Sequence, residues 1–391
     1  MIKKVLKSNI YLLKLNVFFK ALIYNYKTVR LSRKYYKKIS VQHIPYSYNT
    51  SIDFFKRSIS NRIKLNNSIN NQHLLNVFWI GTNFDQDNSG FLQGLQKVFN
   101  VRVFNQSTGK YGFVSNLNTI DKVVEYNDRE IYEAVIKEHN LNNIDIIIGQ
   151  MWGNYISSNV LSKFKKLGIV VINVSMDDRL PEMWDKNNGS IGLKGGIDFV
   201  LTTAKEVCPW YWAEGIPSIY WPLASSAEFY SPKKYKDIPI SFIGNNYGVR
   251  KEIINGIIKS GINIQCFGNG WENGYVNSVK AAEILGRSKI ALGIGTIGHT
   301  KNILTMKLRD FDAPMSGALY ITQRNPELEN FYIENEEIVY YSSIKELVEK
   351  IKYYLLNEEE TKFISERAIL RATKEHTWEN RFEKLRDIII K

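Results

Sequence analysis

From residue 74 onward, short apolar runs alternate with amphipathic stretches, a pattern that confines the chain to an α/β fold built on parallel sheets. The runs fall into two series. LLNVFWI (74–80), VRVF (101–104), IDIIIG (144–149), IVVINV (169–174), IDFVLT (197–202) and SIYWPL (218–223) come first. ISFIG (240–244), INIQCFG (262–268), KIALGIG (289–295), ALYIT (318–322) and EIVYY (337–341) follow. Helices are expected near 88–99, 128–140, 157–167 and 205–214 in the first series, and near 248–260, 300–313 and 344–356 in the second. SPKKYKDIP (231–239), rich in lysine and proline, reads as a linker. A chain of 391 residues is also too long for one core. The expected organisation is a Rossmann-like domain at 73–230, the linker at 231–239, a second Rossmann-like domain at 240–357, and helices at 358–391 packing back across a cleft between the domains.

Charge divides the chain elsewhere. Residues 1–72 hold 15 Lys or Arg against one acid, Asp53, while residues 73–391 hold 37 basic and 38 acidic residues. The net charge of +13 therefore belongs to one segment. In it Ile2, Val5, Leu6, Ile10, Leu13 and Val17 fall on one helical face, with Lys3, Lys7 and Lys14 elsewhere. Lys14 and Lys20 interrupt the apolar run before it reaches the ~20 residues that span a bilayer. No small-residue cleavage site follows, so a secretion signal is not expected either. Two readings remain: a basic helical extension whose residues 1–40 lie on an anionic membrane surface, or a helix packed on the body of the protein with a solvated basic face. Nucleic acid is not an expected partner, because no recognised binding motif accompanies the charge. Cys208 and Cys266 are far apart and the five histidines are scattered. That pattern excludes a disulfide framework and a Cys-based zinc site and favours a reducing, cytoplasmic setting.

Several motifs bear on chemistry. Gly293, Gly295 and Gly298 spell G-x-G-x-x-G after a strand, but the following acids, Asp310 and Asp312, fall in a helix. A dinucleotide fingerprint needs that acid at the end of the next strand. The loop is instead expected to bring main chain close to some other ligand. FDQDNSG (84–90) contains Asp85-x-Asp87, a spacing able to hold Mn²⁺ beneath a diphosphate, yet Asp and Asn equally cap helices and build turns. MDDRLPEMWD (176–185) places Asp177 and Asp178 at a strand's carboxyl end. Adjacent carboxylates there can raise one pKa and supply a general base, or cap the next helix, or bind Arg179.

FIGNNYGVRKEII (242–254) reads as strand, glycine loop at Gly244, then helix. Free N–H groups at that helix start suit a phosphate, and Arg250 in the first turn opposes the helix dipole unless an anion compensates. KLRDFDAPMSGALYIT (307–322) gathers Lys307, Arg309, Asp310 and Asp312 just before Pro314, Ser316 and Gly317. Salt-bridged along a solvated helix, these pairs contribute only a few tenths of a kcal/mol each. At a helix end bordering a sheet, a carboxylate can accept from ribose hydroxyls while Lys or Arg offsets diphosphate charge.

That last stretch, continued through QRNPELENFY and EEIVYYSSIKELVEKIKYYLLNEEE, closely resembles the C-terminal domain of GT-B glycosyltransferases, nearest to the spore-maturation (CgeB-like) group. TKEHTWENRFEKL is similar to that group's His-Thr and Arg tail, and IDFVLTTAKEVCPWYWAEGIPSIYWPLA (197–224) to its strand, aromatic helix and Pro-Leu-Ala end. The resemblance runs from about 74 to 390. It implies a GT-B fold with two Rossmann-like domains facing a cleft, and a metal-independent, hexosyltransferase-type enzyme. By the same likeness Asp312 stands where the group has a ribose-binding Glu, and Leu304 where better-known relatives have a second Glu. Arg250 stands where a basic residue meets the diphosphate, with Gly244, Lys307, Arg309 and Gly317 as further donor-binding candidates. The implied reaction moves a sugar from a nucleotide-sugar, needing no other cofactor, to a glycan or lipid-linked acceptor of the cell surface. If configuration inverts, Asp177, Asp178 or His299 is the expected base. A nucleotide-sugar epimerase and a non-catalytic nucleotide-sugar-binding protein are the alternatives on the same scaffold.

Overall fold

The computed structural model describes residues 10–44, 46–66, 74–81, 87–104, 112–298, 300 and 303–390. They form two compact units: Ser32–Pro222 with Trp378–Lys391, and Leu223–Thr377 with the chain up to Leu31.

The first unit is organised by a parallel sheet of β1 (Asn76–Ile80), β2 (Asn100–Val103), β3 (Ile146–Gly149), β4 (Val170–Ser175), β5 (Phe199–Thr202) and β6 (Ser218–Tyr220), in the order β2-β1-β3-β4-β5-β6. Every residue of β3 and β4 is buried, as their unbroken apolar runs require. Thr119 and Ser157 start α4 (Ile120–Asn142) and α5 (Ser158–Lys166), their hydroxyls accepting the N–H of Lys122 and Val160. The basic segment extends into this unit. In α1 (Ile10–Gln42), Tyr35 stacks on Trp210 of α6 (Cys208–Ala213) with ring centroids 5.0 Å apart and donates to Glu214 at 2.9 Å. In α2 (Tyr48–Asn66), Phe55 lies 4.2 Å from Phe199 of β5, and Ile59 and Ile63 are buried with it. The expected domain start at 73 therefore moves back to Ser32, because these side chains complete the core.

The expected pair of C-terminal helices also divides. α12 (Trp378–Ile390) belongs to this first unit: Trp378 and Phe382 pack on Phe91 and Trp221 with centroids 4.9–5.7 Å apart. Gly94 in α3 (Leu92–Val98) permits the approach, since a Cβ there would stand 2.7 Å from the Cβ of Trp378.

The second unit carries β7 (Ile238–Ile243), β8 (Gln265–Phe267), β9 (Ser288–Gly293), β10 (Leu319–Gln323) and β11 (Val339–Tyr341), parallel and ordered β11-β10-β9-β7-β8. Its core joins Ile240, Phe242, Leu292 and Ile321 of the strands to Ile254, Leu347 and Ile351 of α7 (Arg250–Lys259) and α10 (Ile344–Leu356). β7 begins inside the expected linker. Two helices depart from expectation. α8 (Ser278–Arg287), capped by Asn277, was not anticipated. The helix expected at 300–313 shrinks to α9 (Arg309–Met315), because residues 303–305 fold back on 295–297 through Ile297 N–H to Ile303 O and Thr305 N–H to Gly295 O, both 3.0 Å. α11 (Glu358–Glu375) completes the unit.

In each sheet the order reverses beside the first strand, between β1 and β3 and between β7 and β9. Loops leaving the carboxyl ends diverge at such a switch point and leave a crevice for ligands.

Candidate functional site

The residues gathered at the second unit's switch point are Gly244, Arg250 and Arg309. Gly244 follows β7 with φ +153°, a conformation that favours glycine. A Cβ placed on it would lie 2.9 Å from Arg309 Nη1 and 3.0 Å from Arg250 Nη1, so the missing side chain makes room for both guanidiniums. Arg309, the first residue of α9, donates through Nη1 to the carbonyl of Ile243 and through Nη2 to that of Ile294 at 3.3 Å. It thereby brackets the carboxyl ends of β7 and β9.

Arg250, the first residue of α7, is only 4% exposed and donates to Asn245 O at 2.8 Å. Its guanidinium lies 4.0 Å from the Tyr247 ring, and the Phe242 ring lies beneath both arginines, at 5.5 Å from Arg250 and 4.8 Å from Arg309. Burial, followed by the charge of Arg309, pushes the Arg250 pKa down to about 10. The Nε of each arginine is buried without a hydrogen-bond partner, and neither guanidinium is ion-paired with a carboxylate among the described residues. Aromatic faces offset part of that desolvation. Two like charges, one buried and one half-buried, still stabilise any anion that enters between them.

The glycine loop lies alongside. Gly293 admits no Cβ, because Thr322 Oγ1 and Tyr320 Oη occupy the space at 2.1 and 2.3 Å. Gly298, at φ +59°, lies against the ring of Tyr24 from α1. His299 falls outside the described residues.

The acids of the opening motif turn inward. Asp310 accepts from the Tyr320 hydroxyl and from the Lys307 N–H, the latter at 2.7 Å, and burial raises its pKa. Asp312 is 7% exposed, accepts from Ser225 Oγ at 2.8 Å and meets the Tyr230 hydroxyl. The ribose role expected of Asp312 is closed in this geometry: aspartate is a methylene shorter than glutamate, and its carboxyl stays back against Ser225. Gly317, expected near the donor, instead ends α9 at φ +71°, with Pro232 and Ile369 3.0 Å from where a Cβ would stand. Lys236 caps the same end by donating to Ser316 O and Gly317 O.

Burial pushes the Asp312 pKa up to about 8, although the Ser225 and Tyr230 hydroxyls oppose it. Above its ordinary value near 3.8, the folded state keeps a proton that the unfolded chain releases. The resulting stability is complete below about pH 4 and is lost as pH rises towards 8. Asp312→Asn, uncharged at every pH, is expected to flatten that slope in melting temperatures recorded across this range. An unchanged slope would mean that the carboxyl is ionised when folded.

In the first unit, Asp178 is 1% exposed and accepts from Ser175 Oγ at 2.6 Å, Thr202 Oγ1 at 2.5 Å and Tyr211 Oη at 2.6 Å. Three hydroxyl donors leave it no open face, so the general base expected there is an internal anchor. Asp177 is half-buried, with no hydrogen-bond partner for its carboxyl among the described residues. Arg179 pairs with Glu206 at 2.5 and 2.8 Å rather than with either aspartate. Asp87 is buried and accepts from Gln150 Nε2 at 3.0 Å; Asp85 lies outside the described residues.

Phe242, Tyr247, Ser225 and Tyr320 escaped sequence reading. Phe242 and Tyr320 sit within strands and read there as core. Only the two arginines above Phe242 and the carboxylate beside Tyr320 reveal a further part.

Residues 250–387 match the family model described as glycosyl transferase-like. No curated protein matches the chain. Among solved structures, sucrose-phosphate synthase from Thermosynechococcus elongatus aligns at TM-score 0.55 and 11% identity over 80% of this chain and 98% of that one. Anabaena Alr3699/HepE, solved in complex with UDP and glucose, aligns at TM-score 0.56 and 9% identity over 81% and 99%. A glycosyltransferase from Rickettsia africae ESF-5 aligns at TM-score 0.54 and 12% identity over 81% and 98%. The fold is GT-B.

Proposed function

We propose that the protein is a glycosyltransferase that takes its sugar from a nucleoside-diphosphate donor. The observation that carries this reading is the pair of guanidiniums without a carboxylate, Arg250 buried and Arg309 half-buried, at a switch point opened by Gly244. A diphosphate supplies the missing negative charge, and its leaving-group charge grows as the glycosidic bond breaks, so the pair stabilises the transition state more than the ground state. Lys307 stands just before α9 as a further cation. In the first unit Asp177 is the carboxylate available to take a proton from an acceptor hydroxyl. We propose a cell-surface glycan or lipid-linked intermediate as that acceptor, reached from the cytoplasmic side.

UDP is the first donor nucleotide to try, since the Anabaena protein was solved with it. The test is a thermal-shift series with UDP-sugars, other nucleoside diphosphates and the bare nucleosides. Diphosphates at 100 times their Kd stabilise by about 2.7 kcal/mol, nucleosides do not, and Arg250→Met abolishes the difference. Equal responses from wild type and variant would overturn the site. Donor converted to an isomer, with no acceptor present and no diphosphate released, would make the protein an epimerase. Donor binding without turnover on any acceptor would make it a binding protein.

A further inference from the structure

α1 contains eight Lys or Arg and no Asp or Glu. Its inner side is occupied: Tyr24 covers Gly298 and Tyr35 stacks on Trp210. Its outer side carries Phe19, Leu22, Ile23, Tyr26 and Val29, which are 52, 48, 56, 64 and 48% exposed. At ~100° per residue these five side chains form a stripe about 120° wide and about 15 Å long. Lys20, Lys27, Arg30, Arg33, Lys34 and Lys37, all exposed, border the stripe and continue it.

Large apolar side chains left in water are costly, and the charge around them restricts what can cover them. A second copy brings the same unbalanced cations and is repelled. A nucleic acid would meet the cations but gain nothing from a row of Phe, Leu and Ile. A bilayer with anionic headgroups satisfies both features, with acyl chains for the stripe and phosphates for its border. No described helix is long and apolar enough to cross a membrane, so the contact lies in the plane of the surface. We propose that the outer face of α1 docks this protein on an anionic lipid bilayer. The inference stands apart from the donor site and holds whatever that site binds.

The test is flotation of the full-length chain with vesicles of phosphatidylcholine alone and of phosphatidylcholine mixed with phosphatidylglycerol. Binding is expected only to the mixed vesicles and weakens as salt rises. Phe19→Ser with Ile23→Ser lowers partitioning at least tenfold, by the apolar area withdrawn. Lys27→Glu, Arg30→Glu and Lys34→Glu together lower it on the order of 100-fold or more. Both variants should keep the wild-type circular dichroism spectrum, which separates docking from folding. Equal binding to neutral vesicles, or wild-type partitioning by either variant, would overturn the proposal. So would tight binding of a duplex oligonucleotide, unaffected by the serine pair, in a protein that ignores the vesicles.

Discussion

Arg309→Met lowers the rate of nucleoside-diphosphate release in the transfer reaction by about 10²–10³-fold, the range for removing one preorganised donor from a developing oxyanion. The size of the effect follows from how this guanidinium is held. Its donors to the Ile243 and Ile294 carbonyls pin it across the ends of β7 and β9, and the Phe242 ring lies beneath it at 4.8 Å. A cation fixed in that way loses little reorganisation energy when charge appears. Arg309→Lys keeps the charge but lacks the planar fork that reaches both carbonyls. It is therefore expected to fall between wild type and Arg309→Met. The two variants separate charge from geometry, and steady-state kinetics with donor in excess reads the difference. Turnover within threefold of wild type for Arg309→Met would remove Arg309 from the donor site. A wild-type melting curve for the variant is the control for the strand ends it brackets.

The largest effect on stability is expected at Asp178. Asp178→Ala strands the hydroxyls of Ser175, Thr202 and Tyr211, each of which now donates to that carboxylate. Breaking a buried charged network of this kind costs about 3–5 kcal/mol, or roughly 10 °C in the melting temperature of a unit this size. Asp178→Asn retains one acceptor oxygen and should lose about half as much. Denaturant melts of both variants measure the cost. An unchanged melting curve combined with lost turnover would return Asp178 to the chemistry. Asp177, one residue away and half-buried, gives the contrast: Asp177→Asn should leave the melt alone and act on turnover.

The strands show how far local pattern reaches. Each of the eleven apolar runs became a strand within a few residues of its expected limits, because consecutive apolar side chains can be covered only in a sheet sandwiched by helices. α8 was overlooked although Ala282, Ile284 and Leu285 bury one face and Asn277 caps its start, because its ten residues hold fewer than three turns over which a helical period could be read. The helix expected at 300–313 was overextended because what keeps its first half out of α9 is not local. Gly295 and Ile297 bond to Thr305 and Ile303 across a turn, in competition with helical hydrogen bonds. The candidate site divides in the same way. Gly244 and Arg250 were legible from a glycine loop before a helix, whereas the closing of Asp312 by Ser225, 87 residues away, was not.

What the sequence determined alone was the class of fold, its two series of strands and the residue types able to meet a diphosphate, since hydrophobic period and turn chemistry act over a few neighbours. Tertiary structure decided which of those residues meet. Strand order brings β7 beside β9, so Arg250 and Arg309 share the ring of Phe242, while Asp178, Asp310 and Asp312 turn into the core. The reason is that a charge's role depends on its solvation and its partners, and both are fixed by contacts between residues far apart in the chain.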